Sequence, residues 1–323
     1  MAMEYRRLGR AGLKVSALSI GAWLTYGSDR MAQNQSAACL RTAIENGINF
    51  IDCADVYAYG RAETAVGEVI RDYERSTLVL STKAYWQMNK DDVNDRGLSR
   101  KHIFESVEKS LKRFGTDYVD IFFCHRYDTE SDTEETVRAL SDLVTQGKIL
   151  YWGTSMWSAA QIQEAVGIAR ATNSYAPVTE QSLYNMLDRE QVEGDVQDVC
   201  DKHGIGLVVF SPLAQGVLTG KYNDGTPDDS RAKNVDQAWF AKQIDSGRID
   251  RVRKLTALAN ELGVTTSALA LAWAMKHKNV SSVITGATKP EQVFENLRAL
   301  EVKIAGELDG RIEAILDNKP ARK

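Results

Sequence analysis

The sequence predicts an α/β chain folded as a (β/α)8 TIM barrel, and three observations predict it. Eight short apolar runs alternate with segments of helical period along the 323 residues. A doubly wound sheet alternates in the same way, but no G-x-G-x-x-G follows the first run. Gly204-Ile205-Gly206 fails the pattern because residue 209 is Val. No shift in composition divides the chain, so residues 1–323 are expected to form one domain, a length that α/β barrels commonly reach.

Each element has a local reason. Residues 5–16 place two short runs around a glycine-bearing turn, which predicts an N-terminal β-hairpin. Ala17–Ile20 is the first barrel strand, closed by Gly21. Leu40, Ala43 and Ile44 mark a helix, with Gly47 as its stop. Ile48–Ile51 is the second strand, followed by a helix over 62–72. Leu78–Thr82 is the third, ending at Lys83. Ser99 caps a helix whose Ile103, Val107, Leu111 and Phe114 share a face. Val119–Cys124 is the fourth strand, ending at His125. Ser131-x-x-Glu134 reads as a capping box before Val137, Leu140 and Val144, with Gly147 as the stop.

Ile149–Trp152 is the fifth strand. Ser158-x-x-Gln161 is a second capping box, leading Ile162, Ala165, Val166 and Ala169. Pro177–Glu180, a helix over 188–202 and Ile205–Phe210 continue the alternation. A long polar loop over 211–247 follows this seventh strand, and loops of that length in compact domains are usually functional or disordered. Helices over 249–262 and 265–277 lead to the last strand, Val280–Ile284. Thr288-x-x-Glu291 caps the last core helix, which carries Val293 and Leu297. An amphipathic stretch over 306–317 and a basic tail complete the chain.

Composition removes several functional classes. Lys and Arg total 40 against 44 Asp and Glu, a net charge of −4, with no basic stripe suited to nucleic acid. Cys39, Cys53, Cys124 and Cys200 form no C-x-x-C pair and read as buried thiols in a reducing compartment. His102, His125, His203 and His277 are scattered, so no metal site is expected. The N-terminus has no apolar signal region, and no window approaches the about 18 apolar residues of a membrane span. A cytoplasmic protein without membrane insertion is the expectation.

In a (β/α)8 barrel the C-terminal ends of the strands converge on one face, where active sites sit. The second strand ends at Asp52, with Tyr57 five residues on. The third ends at Lys83 and the fourth at His125. Taken singly, these are a turn residue, a loop lysine, a core histidine and a structural ion pair. Together they are complementary. A phenol of pKa about 10 is a weak acid at neutral pH. A neighbouring ammonium favours the phenolate and is expected to lower that pKa. A carboxylate holds the ammonium, and an imidazole can hydrogen-bond a carbonyl oxygen. This is one half of a carbonyl reduction; the hydride must come from a nicotinamide cofactor. Trp23, Tyr26, Tyr59, Tyr85, Trp86 and Trp157 lie just past strand ends and are candidates for an apolar wall around small aldehydes and ketones.

These residues carry a resemblance. Asn49–Tyr57 with D-x4-Y, Ser81-Thr82-Lys83, Phe122–His125 and Trp152-Gly153-Thr154-Ser155 closely resemble the aldo-keto reductases over about residues 5–320. The likeness is strongest to the branch holding the voltage-gated potassium channel β-subunits and their bacterial relatives. It is carried by Ser155-Met156-Trp157, Glu180-Gln181, Phe210–Gly216, Gly220-Lys221-Tyr222, Ser230-Arg231-Ala232 and Gly286–Gln292 followed by Glu295-Asn296.

The resemblance implies a catalytic tetrad of Asp52, Tyr57, Lys83 and His125, with Tyr57 as the acid. It implies NADPH as cofactor, beginning at Ala22, Trp23 and Asp52. Ser155 and Gln181 would hold the carboxamide and Phe210 would stack on the ring. Ser211, Pro212, Leu213, Gln215 and Gly216 would line the pyrophosphate under a cofactor-covering loop bearing Lys221 and Arg231. Gly286, Thr288, Gln292, Glu295 and Asn296 would hold the adenosine end. Lys221, Arg231 and Lys289 suit a 2′-phosphate. Trp23, Tyr57, Trp86 and His125 would face a small carbonyl substrate. Tetramers or larger homo-oligomers occur in this branch, and a regulatory subunit that docks on a channel with little turnover is the alternative role. Two positions depart from the channel subunits: they carry Asn in place of His125 and Arg in place of Met156.

Overall fold

The computed structural model describes residues 2–29, 31–227 and 244–321. Eight parallel strands close into a barrel: β3 (Leu18–Gly21), β4 (Phe50–Asp52), β5 (Val79–Ala84), β6 (Val119–Cys124), β7 (Ile149–Ser155), β8 (Thr179–Leu183), β9 (Gly206–Phe210) and β10 (Val280–Thr285). Each pairs with the next, and β10 returns to β3 through Val283–Leu18, Ile284–Ser19 and Thr285–Ile20.

Strand alternation sorts the side chains into two layers. Phe50, Val79, Ile121, Phe123, Val208 and Ile284 point into the barrel and pack together. Their neighbours Ile51, Leu80, Phe122, Cys124, Leu207 and Val209 point outward into the larger core under the helices. Burial on both faces is why the strands read as unbroken apolar runs.

The predicted hairpin forms from β1 (Tyr5–Arg7) and β2 (Lys14–Ser16), paired antiparallel. It plugs the barrel: Leu8 and Val15 join the interior cluster. Its turn lies directly on the backbone before β9, with Arg10 N–H donating to Gly204 O at 2.8 Å. Gly9 sits there at φ 58°, where a Cβ would fall 2.3 Å from Gly204 O, so no side chain fits.

The expected caps at Ser99 and Ser158 are present, the second as a full capping box with Gln161. Two others differ. Ser131 does not cap its helix; its Oγ donates to Asp128 at 2.6 Å, and Asp132 caps Thr133–Thr145 by accepting from Glu134 N–H. Thr288 does not cap the helix Pro290–Leu297; Lys289 takes that position, because Pro290 has the fixed φ suited to the first helical residue. The helix expected over 188–202 opens into a π turn at Val192–Val196 before Gln197–His203. Glu193 in that turn holds Arg189 and accepts from Tyr184 Oη. All four cysteines are free and buried. Among the described residues, no single helix is long and apolar enough to cross a membrane.

Candidate active site

The alternation that buries Phe50, Val79 and Phe123 inside the barrel also aims the residues two and four positions on into it. Asp52 follows Phe50, Ser81 and Lys83 follow Val79, and His125 follows Phe123. Register completes the placement: Asp52 lies beside Ser81, and Lys83 beside Phe123. A polar layer therefore sits on an apolar plug at the C-terminal end of the barrel.

Lys83 is fully buried and is the hub. Its Nζ donates to Asp52 Oδ1 at 2.9 Å and Oδ2 at 2.8 Å, to Cys53 O at 2.7 Å and to Tyr57 Oη at 3.3 Å. Asp52 Oδ1 also accepts from Ser81 Oγ at 2.9 Å and Gln181 Nε2 at 2.8 Å. A buried ion pair persists when its remaining lone pairs and protons are satisfied in this way. Tyr57 opens a 3-10 turn in which Ala58 and Tyr59 adopt left-handed φ of 50° and 54°. Such strain concentrates at functional sites. The Tyr57 and His125 rings meet edge to face, 5.9 Å apart. His125 Nδ1 is buried and has no hydrogen-bond partner among the described residues.

Burial pushes the Tyr57 phenol up to about 12, against the pull of the Lys83 charge, and Asp52 adds to the rise. The lowering expected from Lys83 alone is thus overturned: desolvation of the phenolate outweighs the ammonium. Burial pulls the Lys83 ammonium down, but Asp52 and its other acidic neighbours together outweigh it and the net shift is upward. Burial, with help from Lys83 and Arg126, holds His125 well below the usual imidazole range. At neutral pH the site therefore holds a neutral phenol, a charged lysine and a neutral imidazole.

The residues assigned to a dinucleotide line the same end. Ala22 and Trp23 follow β3, and Ala22 N–H donates to Asp52 O at 2.9 Å. Ser155 ends β7 and donates from Oγ to Gln181 O at 3.0 Å. Phe210 ends β9, half-buried. Ser211, Ala214 and Gln215 then take left-handed φ of 53°, 46° and 59°, with Gly216 at 98°. Gln215 Nε2 donates to Ser211 Oγ at 2.6 Å. Pro212 is buried and Leu213 half-buried within this turn, and Lys221 is exposed beyond it. Three non-glycine residues in that conformation within five positions mark a loop shaped for more than connection.

After β10, Asn296 Nδ2 donates to Gly286 O at 3.4 Å, and Gln292 Oε1 accepts from Thr288 N–H at 2.7 Å. Glu295 accepts from Ser267 Oγ at 2.9 Å. The N-terminus of Pro290–Leu297, beside the exposed Lys289, and the Lys221 cation suit a phosphate-bearing nucleotide. Arg231 lies outside the described residues.

Of the candidate aromatic wall, Trp23 and Trp86 stand exposed at the rim, and Trp86 packs against Tyr85 and 6.5 Å from the His125 ring. Tyr59 turns to solvent. Tyr26 and Trp157 are buried, the latter against Tyr127, and belong to the core packing.

Two residues at the site escaped the sequence reading of chemistry. One is Arg126, next to His125. The other is Glu180, which alternation turns outward from β8 while Gln181 faces in. Glu180 is fully buried and accepts from Thr154 Oγ1 at 2.5 Å, Met156 N–H at 2.8 Å and Ser182 Oγ at 3.0 Å. It thereby clamps the Ser155–Trp157 turn, where Met156 has φ 59°. A glutamate inside a buried strand is itself the signal, since such residues are almost never fully buried without partners.

Burial raises the Glu180 carboxyl to about 8, from an ordinary 4.5. Between those values the folded chain holds a proton that the unfolded chain has lost, so wild-type stability falls as pH rises across that window and levels off above it. Glu180→Gln has no such proton. Its melting temperature relative to wild type is expected to climb from pH 5 to pH 8; parallel profiles would mean that Glu180 is ionised in the fold.

The aldo/keto reductase family profile matches residues 17–317. The chain is 45% identical to a probable voltage-gated potassium channel subunit beta of Arabidopsis thaliana, covering 99% of this chain and 98% of that protein. It is 43% identical to a putative voltage-gated potassium channel subunit beta of Schizosaccharomyces pombe, over 98% and 94% of the two chains.

Proposed function

The chain belongs to the aldo/keto reductase family, and on that premise we propose that it reduces small aldehydes and ketones to alcohols with NADPH. The observation that carries the proposal is the Lys83 ammonium held between the Asp52 carboxylate and the Tyr57 hydroxyl, with His125 beside them. Bound NADPH supplies the hydride. Tyr57 Oη donates its proton to the carbonyl oxygen as that oxygen gains charge. The phenolate left behind is stabilised by the Lys83 ammonium 3.3 Å away, and Asp52 keeps that ammonium charged and aimed. His125, neutral, hydrogen-bonds the same carbonyl oxygen and orients it. Electrostatic groups fixed in advance in a water-poor site act more strongly than the same groups in water.

In this reading Ser155 and Gln181 position the carboxamide, Phe210 covers the ring, and the left-handed turn over 211–216 receives the pyrophosphate. Lys221, Lys289 and Arg231 favour NADPH over NADH. The relatives named as channel β-subunits support a second reading, a nucleotide-binding subunit that docks on a partner with little turnover. Loss of NADPH absorbance with a panel of reactive aldehydes, including methylglyoxal, separates the two. Turnover by wild type is expected; tight NADPH binding with no turnover across the panel would favour the regulatory role.

A further inference from the structure

Arg126 is a half-buried cation at the mouth of the site, and no step of the proposed reaction uses it. It follows His125 directly, and its Nη1 donates to His125 O. Its Cζ lies 5.8 Å from the Trp86 ring, which in turn lies 6.5 Å from the His125 ring. The guanidinium carries five N–H donors, and among the described residues His125 O is its hydrogen-bond acceptor and no carboxylate lies within ion-pair distance. Burial works against its charge, and among the described residues the carboxyl whose field offsets this is that of Glu180. Glu180 is a weak counter-ion, because burial raises its carboxyl to about 8. A second cation, the exposed Arg96, lies 5.9 Å from the Tyr85 ring on the same rim.

A partly desolvated guanidinium without an anion is a costly arrangement that a bound carboxylate would relieve through charge-assisted, bidentate hydrogen bonds. The bond of Arg126 to His125 O and its place over the Trp86 ring, itself 6.5 Å from the His125 ring, set the cation on the same side of the site as His125.

We propose that Arg126 is an anion-recognition subsite, so that the preferred substrates are small carbonyl compounds bearing a carboxylate. The carbonyl oxygen meets Tyr57 and His125 while the carboxylate meets Arg126 across the face of Trp86. This rests on the reductase reading and narrows its substrate class.

The test compares 4-carboxybenzaldehyde with 4-nitrobenzaldehyde, which match in shape and differ in charge. In Arg126→Gln the ratio of kcat/KM for the carboxy over the nitro compound is expected to fall about 10- to 100-fold, mostly through KM, as for loss of hydrogen bonds to a charged group. Arg126→Lys, a point charge without the planar fork, is expected to keep part of the preference. An unchanged ratio in Arg126→Gln overturns the proposal. Calorimetric binding of 4-carboxybenzaldehyde to the NADP+ complex, which has no hydride to give, provides a second readout that needs no turnover. If wild type reduces neither aldehyde nor any member of the wider panel, the reductase reading fails. The subsite then stands or falls on whether Arg126→Gln weakens that binding by about 10-fold or leaves it unchanged.

Discussion

Replacing Tyr57 with Phe is expected to lower kcat for aldehyde reduction by about 10²- to 10⁴-fold, the usual contribution of a positioned general acid. The prediction is sharp because the change removes one oxygen and little else. The ring keeps its edge-to-face contact with His125, and Lys83 keeps Asp52 and Cys53 O as acceptors. NADPH affinity, measured by fluorescence titration, is expected to stay within about threefold, since no interaction with the cofactor is assigned to the hydroxyl. A variant retaining more than about a tenth of wild-type kcat would place the proton donor elsewhere.

The second large effect is at Lys83, where stability and chemistry separate. Lys83→Met leaves the Asp52 carboxylate buried without its cation. Breaking a buried pair from one side typically costs about 3–5 kcal/mol. Ser81 and Gln181 still donate to Asp52, so the lower end of that range is expected in urea unfolding. Turnover is expected to disappear with the ammonium that supports the phenolate. Adding Asp52→Asn removes the unpaired charge and is expected to restore most of the stability and none of the activity. A single variant as stable as wild type would contradict the ion-pair account; a double variant that recovers turnover would contradict the catalytic one.

How far each of these features was legible in the sequence follows from the range of the forces involved. The barrel was legible because strand burial is written in alternation and run length. The same alternation that the structure shows turning Phe50 and Phe123 into the barrel also carries Asp52 and His125 to its mouth. Capping was legible where one polar residue precedes the helix, as at Ser158, and ambiguous where two compete. Ser131 and Asp132 both suit a cap, and the choice fell to Asp132 because Asp128 takes the Ser131 hydroxyl.

The direction of the Tyr57 shift was not legible. It is set by how completely packing removes water from the hydroxyl, a property of the assembled core and not of the neighbours in sequence. Arg126 and Glu180 escaped for a related reason. An arginine after a strand and a glutamate in one look ordinary until the structure shows the first without a carboxylate among the described residues and the second holding three donors. The residues assigned to the nucleotide came from resemblance, because a turn such as 211–216 announces its left-handed backbone only through Gly216.

The central claim is that this site moves a hydride and a proton onto a carbonyl, and it is tested most directly by following the hydrogen itself. NADPH deuterated at both C4 positions of the nicotinamide, mixed with the protein and excess 4-nitrobenzaldehyde, should yield an alcohol with one deuterium on its carbinol carbon for each NADPH consumed, read by mass spectrometry. NADPH that binds tightly while the aldehyde is recovered unchanged would contradict it.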